Sequence, residues 1–273
     1  MSSTRRFVVI GHPVSHSLSP QIHARFASAT GIALEYTTLL APLGEFDASA
    51  RRFFAGGGSG ANVTLPFKID ALRFADEVST RARLAGAANV LTSLEGRIAA
   101  DNTDGAGLVA DLTRNLGLDL RGKRVLLVGA GGAARGVIAP LLAQAPASLV
   151  VANRTLERAD GLACEFAVLG PIRASALEAI EGAPFDLVLN ATSTSTKGES
   201  LELPGGTLAP GATVYDMAYG EPAHAFLERS RKLGARASDG LGMLVEQAAE
   251  AFEAWHGRRP DTAPVLAALR ATR

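Results

Sequence analysis

The sequence predicts an α/β protein in which one unit is a doubly wound, Rossmann-like sheet. The main observation is the stretch KRVLLVGAGGAAR at residues 123–135, whose apolar run over 125–129 predicts a strand buried on both faces. A glycine turn follows at 129–132, and helix-compatible residues follow over 133–145. Strand, tight glycine turn and helix place a helix N-terminus where it can bind a dinucleotide pyrophosphate. The alternative is a purely structural βα turn.

Strand and helix patterns elsewhere in the chain support the same fold class. In the second half, apolar runs over 148–153, 186–190 and 213–218 each precede helical or glycine-rich sequence, as in a doubly wound sheet. The first hundred residues alternate similarly and predict an α/β unit of their own. Its expected strands cover 7–10, 34–40 and 61–65, and its expected helices follow Ser19, cover 46–54 and follow Phe67.

Local signals define several boundaries in the first half. Ser19 followed by Pro20 predicts a helix with a serine N-cap, and Gly31 is expected to end that helix. Residues 88–100 predict a hairpin with Glu95 and Gly96 in its turn. A helix over 108–116 is expected to lead into the second unit.

The C-terminal region predicts how the domains are completed. Helical patterns over 241–255 and 264–269 have no strand of their own to cover, so we expect them to pack on the first domain. The predicted organisation is a domain of residues 1–104 completed by 241–273, and a Rossmann-like domain of residues 105–240.

Composition excludes several classes of function. Lys plus Arg equals Asp plus Glu, and a net charge near zero argues against nucleic acid or an anionic membrane as a partner. No apolar run approaches the roughly 20 residues that span a bilayer, and no signal peptide is expected, so the predicted location is cytoplasmic. With one cysteine, Cys164, and with no cysteine near His12, His16 and His23, no metal site is expected.

The end of the predicted strand over 148–153 indicates which dinucleotide binds. NAD enzymes carry an acidic residue there for the ribose hydroxyls. Here the strand ends in Asn153-Arg154-Thr155, and Arg158 follows one helical turn after Arg154. Two guanidinium groups suit a 2′-phosphate, which favours NADP over NAD. The alternative is a pair of solvated arginines.

Two charged residues are candidates for proton transfer. Lys68 is expected in the first turn of a helix, where the macrodipole disfavours a cation by about 0.3–1 kcal/mol and would favour the neutral amine. A lysine held in this way could exchange protons near neutral pH, and an exposed surface lysine is the alternative. Asp104 could act with it, could instead cap the helix that follows, and competes with Asp101 for the catalytic role.

Polar residues interrupt otherwise apolar strands at Asn62, Thr64 and Asn89. Such side chains either bind a polar ligand or satisfy backbone groups in the core.

Taken together, these stretches resemble the shikimate dehydrogenase family over nearly the whole chain. The motifs that carry the resemblance are Ser15-His16-Ser17-Leu18-Ser19-Pro20, Asn62-Val63-Thr64-Leu65-Pro66-Phe67-Lys68, Gly86-Ala87-Ala88-Asn89, Asn102-Thr103-Asp104-Gly105, the glycine turn, Asn153-Arg154-Thr155, Tyr215-Asp216-Met217 and Met243-Leu244-Val245 with Gln247-Ala248.

The resemblance implies NADP-dependent hydride transfer between shikimate and 3-dehydroshikimate, on the route to chorismate and the aromatic amino acids. It implies an N-terminal substrate domain, an NADP-binding Rossmann domain and an active site in the cleft between them. It makes Lys68 and Asp104 the catalytic pair. The implied substrate-binding residues are Ser17, Ser19, Asn62, Thr64, Asn89, Asp104, Tyr219 and Gln247. The implied cofactor-binding residues are Gly129, Ala130, Gly131, Gly132, Ala133, Asn153, Arg154, Thr155, Arg158, Met217 and Gly240.

Other functions fit parts of the same pattern. A quinate/shikimate dehydrogenase with relaxed substrate choice or NAD use shares the fold, although the two arginines argue against NAD. A non-catalytic ligand sensor on this scaffold would be expected to lack Lys68 or Asp104, and a folate-handling dehydrogenase would have no use for the serine motif. Both monomer and homodimer fit the sequence. Residues 194–197 and Ala218 depart from the family pattern and bear on local loop shape.

Overall fold

The computed structural model describes residues 4–180, 184–192 and 201–272. Its strands are β1 (Arg5–Gly11), β2 (Leu34–Leu40), β3 (Gly60–Val63), β4 (Glu77–Val78), β5 (Val90–Leu94), β6 (Arg97–Asp101), β7 (Arg124–Val128), β8 (Ser148–Asn153), β9 (Ile172–Ala176), β10 (Phe185–Asn190), β11 (Leu208–Asp216) and β12 (Arg236–Asp239). Its α-helices are α1 (Ser19–Thr30), α2 (Phe46–Ala55), α3 (Lys68–Phe74), α4 (Thr80–Ala85), α5 (Asp104–Ala110), α6 (Gly132–Leu142), α7 (Leu156–Phe166), α8 (Glu221–Lys232), α9 (Leu241–His256) and α10 (Ala263–Ala271). The departure at residues 194–197 lies outside the described residues.

The chain divides into two compact units. The first comprises Met1–Gly107 and Val245–Thr272, and the second comprises Leu108–Leu244. The assignment of residues 1–104 with 241–273 to substrate and of 105–240 to cofactor stays a prediction. No helix in the described ranges is long and apolar enough to cross a membrane.

The first unit is built on a mixed six-stranded sheet in the order β2-β1-β3-β5-β6-β4. β1 runs parallel to β2 and β3, whereas β5 runs antiparallel to β3 and β6. The predicted hairpin is confirmed as β5 and β6, with Glu95 and Gly96 both at positive φ in the turn. Because β5 is antiparallel, its first residues lie at the same sheet edge as the carboxyl ends of β1, β3 and β6.

The second unit contains a parallel six-stranded sheet in the order β12-β11-β10-β7-β8-β9. Strand order reverses direction at β7, whose neighbours are β8 on one side and β10 on the other. This is the doubly wound arrangement expected from the sequence, and ligands of such sheets bind at the carboxyl ends of the strands near the reversal. The turn after β7 therefore lies at the position that a dinucleotide requires.

Most of the C-terminal region belongs to the first unit, which includes Val245–Thr272. Trp255 of α9 packs against Phe7 of β1 with ring centroids 4.6 Å apart, and its Nε1 donates to the carbonyl of Leu91 at 3.3 Å. A Cβ on Gly60 would lie 2.6 Å from the same indole nitrogen, so glycine is needed there for the helix to approach the sheet.

Three expectations differ from the structure. The predicted N-cap role of Ser19 is wrong: Leu18 occupies the cap position without a side-chain cap bond, and Ser17 Oγ accepts from the Ser19 amide at 3.3 Å. Gly31 does end that helix, at φ 70°.

The strands β9 and β12 were not predicted, because their sequences, IRASA and RASD, are more polar than those of buried strands. The helix predicted over 108–116 is α5 followed by a π-helical turn, Asp111–Asn115.

Candidate active site

The centre of the candidate site is an ion pair between Lys68 and Asp104 in the first unit. Lys68 Nζ lies 2.6 Å from Asp104 Oδ2, and both side chains are partly exposed. The two residues begin α3 and α5, which follow the carboxyl ends of β3 and β6. The sheet topology therefore brings together two residues that are 36 positions apart in sequence.

The ion pair places a carboxylate oxygen directly against the Lys68 amine. Opposite charges attract at this distance, so Asp104 orients Nζ at the edge of the sheet. The role of Lys68 in proton transfer, and the macrodipole effect expected from its place in the helix, stay predictions.

The loop before α5 leaves the Asp104 carboxylate available for this role. Asn102 Oδ1 accepts from the Asp104 amide at 3.1 Å, so the side chain of Asn102 rather than that of Asp104 satisfies the start of the helix. Asp101, the competing carboxylate, binds Arg81 and Ser79 instead of Lys68.

Buried amides surround the ion pair. Asn89 Nδ2 donates to Thr103 Oγ1 and Asp104 Oδ1, each at 2.9 Å, and lies 3.1 Å from Gln247 Oε1. Asn89 Oδ1 in turn accepts from the Thr103 amide at 2.8 Å. These bonds bring together Asn89, which precedes β5, with Thr103, Asp104 and Gln247. The shared substrate role of Asn89, Asp104 and Gln247 stays a prediction.

Asn62 is held from the opposite side. Tyr36 donates its hydroxyl to Asn62 Oδ1 at 2.7 Å, while Asn62 Nδ2 donates to the Asn89 carbonyl at 3.3 Å. Burial raises the pKa of Tyr36 well above its ordinary value, which keeps this hydroxyl a donor.

The serine motif and Thr64 lie at the same sheet edge. Ile10 pairs with Val63 in the register of β1 and β3, so the loops that follow these residues leave the sheet side by side. A Cβ on Gly11 would lie 2.5 Å from Thr64 Cγ2, which explains why glycine ends β1. Ser19 is buried, whereas Ser17 and Thr64 are partly exposed and offer hydroxyl groups.

Tyr36 and Thr103 were not among the predicted site residues. Tyr36 lies on the edge strand β2, and its sequence context gives no sign that it reaches Asn62. Thr103 stood inside the quoted Asn102-Thr103-Asp104-Gly105 motif, and its position next to Asp104 was the signal that could have identified it.

His23 is buried behind Tyr36 and gives the first unit a pH-dependent stability. The two rings stack with centroids 4.3 Å apart, and burial lowers the pKa of His23 to about 3 from 6.5.

The described residues contain no cluster of side chains that could hold a metal ion.

We expect the free energy of unfolding to fall as the pH decreases from about 6.5 toward 3. The unfolded chain takes up a proton at His23 that the folded chain excludes, and each unit of pKa difference corresponds to about 1.4 kcal/mol. Between pH 6.5 and 5, the free energy of unfolding measured with denaturant should fall less steeply for His23→Phe than for the wild type. Part of this pH dependence should remain in the variant, because burial and Arg5 also lower the pKa of His256, to about 4. An equal slope for both proteins would contradict this role.

The second unit contains the predicted cofactor residues. Gly129 directly follows β7 with φ 113°, and a Cβ there would lie 3.1 Å from the backbone of Ala191. A Cβ on Gly131 or Gly132 would meet no atom of the described residues within 4 Å. Within that part of the chain, packing does not require these two glycines, and their lack of side chains would let a ligand approach the backbone closely.

The first turn of α6 suits an anion. Gly131 caps this helix without a side-chain hydrogen bond, and the first turn contains no acidic residue. The amides from Gly131 to Ala134 precede the first internal hydrogen bond, from the Arg135 amide to the Gly131 carbonyl. The turn thus fits a dinucleotide phosphate, with Ala130 and Ala133 flanking the glycines.

Arg154 and Arg158 follow β8, next to this turn. Both side chains are exposed, and neither forms an ion pair within the described part of the chain. Asn153 Nδ2 donates to the Thr155 carbonyl at 2.9 Å and thereby fixes the turn that carries Arg154. Two exposed cations beside this glycine turn would fit the 2′-phosphate of NADP.

Met217 and Gly240 are in direct contact at the carboxyl ends of β11 and β12. A Cβ on Gly240 would lie 2.3 Å from the Met217 carbonyl oxygen, and the Gly240 amide donates to Ala218 at 2.9 Å. Asp216 accepts from the Ala218 amide at 2.8 Å. Ala218 is thus held by its backbone, while Tyr219, which lies in this unit, keeps its substrate role as a prediction.

Comparison with known proteins identifies relatives over the full length. Residues 9–91 match the family described as the shikimate dehydrogenase substrate binding domain, residues 111–198 match shikimate/quinate 5-dehydrogenase, and residues 240–270 match the shikimate 5′-dehydrogenase C-terminal domain.

Individual proteins also resemble this chain in sequence over nearly its whole length. The chain is 52% identical to a shikimate dehydrogenase (NADP(+)) of Laribacter hongkongensis, over 98% of each protein. It is 54% identical to the protein of that name from Dechloromonas aromatica, over 97% of each. A crystal structure of shikimate 5-dehydrogenase from Thermus thermophilus in complex with NADP(H) and shikimate superposes with a TM-score of 0.86. That chain is 34% identical, and the match covers 99% of this chain and all of the other.

Proposed function

This chain belongs to the shikimate dehydrogenase family, and we propose that it catalyses the NADP-dependent, reversible reduction of 3-dehydroshikimate to shikimate. It is an oxidoreductase, and this reaction serves chorismate and aromatic amino acid biosynthesis. The cytoplasmic location and a monomeric or homodimeric state remain predictions from the sequence and from the biosynthetic role of the relatives.

The observation that carries the mechanism is the Lys68–Asp104 contact of 2.6 Å. NADPH, when bound, supplies the hydride that reduces the ketone carbon. The carbonyl oxygen then requires a proton, which the Lys68 ammonium donates to form the hydroxyl. In the oxidising direction, Lys68 Nζ accepts the same proton. Asp104 orients the ammonium through Oδ2, while Asn89 holds Oδ1 so that the carboxylate cannot turn away.

The substrate roles follow the chemistry of a polyhydroxylated ring acid. Neutral donors and acceptors can bind several hydroxyl groups without a metal, and the hydroxyls of Ser17 and Ser19 suit the carboxylate. The remaining proposed contacts to the ring or its pocket come from Asn62, Thr64, Asn89, Asp104, Tyr219 and Gln247.

The cofactor roles rest on the second unit. Amides of the turn from Gly129 to Ala133 suit the pyrophosphate, and Arg154 and Arg158 suit the 2′-phosphate. Asn153 and Thr155 shape the turn that carries these arginines, and Met217 and Gly240 complete the proposed binding surface.

Initial rates with four pairs of substrate and cofactor test the proposed function: shikimate or quinate, each with NADP⁺ or NAD⁺. Purified protein should reduce NADP⁺ in the presence of shikimate, with the rise in NADPH absorbance as the readout. Quinate in place of shikimate tests the relaxed alternative, and NAD⁺ in place of NADP⁺ tests the cofactor. A higher kcat/KM with quinate or with NAD⁺ would favour the quinate/shikimate dehydrogenase alternative, and the absence of turnover with all four pairs would contradict the proposed function.

A further inference from the structure

Arg81 lies at the centre of an ion-pair network in the first unit, outside the residues that contact Lys68. It belongs to α4 and binds Asp101 with two parallel hydrogen bonds, from Nε to Oδ1 at 2.7 Å and from Nη2 to Oδ2 at 2.5 Å. Its remaining nitrogen, Nη1, donates to Glu250 Oε2 at 3.2 Å. One guanidinium therefore connects the end of β6 with the middle of α9, in the fork geometry that a lysine cannot reproduce.

The bond to Asp101 continues toward the catalytic pair. Asp101 Oδ1 accepts from the Asn102 amide at 2.7 Å, and Asn102 Oδ1 accepts from the Asp104 amide at 3.1 Å. Asn102 is itself buried and donates to the Ala87 carbonyl at 2.9 Å. Only two side chains thus separate the guanidinium from the backbone of Asp104.

Arg81 helps to lower the pKa of the Asp101 carboxyl. Burial alone would raise the pKa of Asp101, but hydrogen bonds from Arg81 and Ser79 outweigh burial, and the net pKa lies below the ordinary value. Without the guanidinium, burial would be opposed only by weaker donors, so the carboxylate would lose the partner that holds it in place.

The bond to Glu250 fixes the helix that carries Gln247. Glu250 lies one helical turn after Gln247, and Arg259 also binds Glu250. Arg259 further binds the buried Glu246 at 3.0 Å, and Thr262 donates to Glu246 at 2.6 Å. Through Arg81, this cluster of carboxylates on α9 is connected to the loop that ends at Asp104.

We propose that Arg81 is a positioning residue that holds Asp104 and Gln247 in register around Asn89, so that the Lys68–Asp104 contact forms. The proposal rests on the proposed function for its catalytic consequence. A misplacement of catalytic groups by about 1 Å can reduce turnover by about 10²-fold, which makes a distant anchor of this kind consequential.

The matched variants are Arg81→Gln and Arg83→Gln, two residues apart on α4. The Arg83 side chain is exposed and donates only to the Val78 carbonyl, at 3.3 Å, among the contacts described. At the temperature at which both remain folded by circular dichroism, Arg81→Gln should lower kcat by about 10-fold or more, with the KM for NADP⁺ within about twofold of the wild type. Arg83→Gln should leave both constants within about twofold. Arg81→Lys should recover only part of the loss, because it retains charge without the fork.

A double-mutant cycle separates positioning from general loss of stability. If Arg81 acts through Asp101, then adding Asp101→Asn to Arg81→Gln should cause little further loss of kcat, whereas independent effects would multiply. Multiplying effects, or equal kcat values for Arg81→Gln and Arg83→Gln, would overturn the proposal.

Hydrogen exchange gives a readout that does not depend on activity. Amides over residues 102–104 should exchange at least about 10-fold faster in Arg81→Gln than in the wild type or Arg83→Gln, because their loop has lost its anchor. Unchanged exchange there would overturn the proposal even if the wild type reduced NADP⁺ with shikimate. Conversely, the amides could exchange faster in Arg81→Gln while the wild type shows no turnover of shikimate with NADP⁺. That result would support Arg81 as the anchor of the loop and would contradict the proposed function.

Discussion

A Lys68→Met variant should turn over at least about 10²-fold more slowly than the wild type, with the KM for shikimate little changed. Methionine fills similar space but cannot donate a proton to the oxygen formed from the ketone, nor accept one in the reverse reaction. Because the proposed substrate contacts come mainly from the surrounding hydroxyls and amides, substrate binding should survive. Steady-state rates in both directions, with saturating cofactor, provide the measurement.

The control for this variant is Lys232→Met. Lys232 is the exposed last residue of α8, so the same chemical change there should leave kcat within about twofold, as is usual for surface substitutions. Near-normal turnover of Lys68→Met would contradict the assignment of Lys68 as proton donor. A comparable loss in Lys232→Met would show that the assay reports something other than the catalytic pair.

Replacing both Arg154 and Arg158 with alanine should weaken NADPH binding by roughly 10- to 10²-fold while affecting NADH far less. A hydrogen bond to a charged group contributes about 1.5–3 kcal/mol, and only NADPH carries the 2′-phosphate that these guanidinium groups would bind. Dissociation constants of both cofactors, from fluorescence titration, measure the difference. The loss for NADPH should shrink at high salt, since ions screen exposed charges.

Arg121→Ala is the matched control for the cofactor variant. Arg121 is also exposed and also in the second unit, but it lies before β7 rather than after β8. It should leave both dissociation constants unchanged. Equal losses of NADPH and NADH affinity in the double variant would remove the basis for preferring NADP at this site.

The sequence allowed the cofactor-binding half of the fold to be predicted in more detail than the catalytic geometry. The turn after β7 could be predicted because a buried strand, glycines and a helix follow one another within about a dozen residues. The pattern that indicates this turn is therefore local in sequence. The strands β9 and β12 were missed because edge strands need few apolar residues, and their pairing depends on neighbours far away in the chain.

The contact between Lys68 and Asp104 shows what a sequence pattern leaves open. Lys68 was placed correctly at the start of a helix, but its contact with Asp104 arises from the order of β3, β5 and β6 and has no sign in the neighbouring residues. Likewise, Asn102 takes over the capping role that Asp104 could have filled. Hydrogen-bond partners such as Tyr36 and Arg81 depend on tertiary packing and have no signature in the residues beside them.

The most direct test of the proposed reaction is the transfer of deuterium from cofactor to product. NADPH deuterated at both positions of the nicotinamide carbon that donates hydride would be incubated with 3-dehydroshikimate and the purified protein. Mass spectrometry should find shikimate carrying one deuterium, formed at a rate that collapses in Lys68→Met. Shikimate without deuterium, or no shikimate in a reaction that consumes the cofactor, would contradict hydride transfer to this substrate.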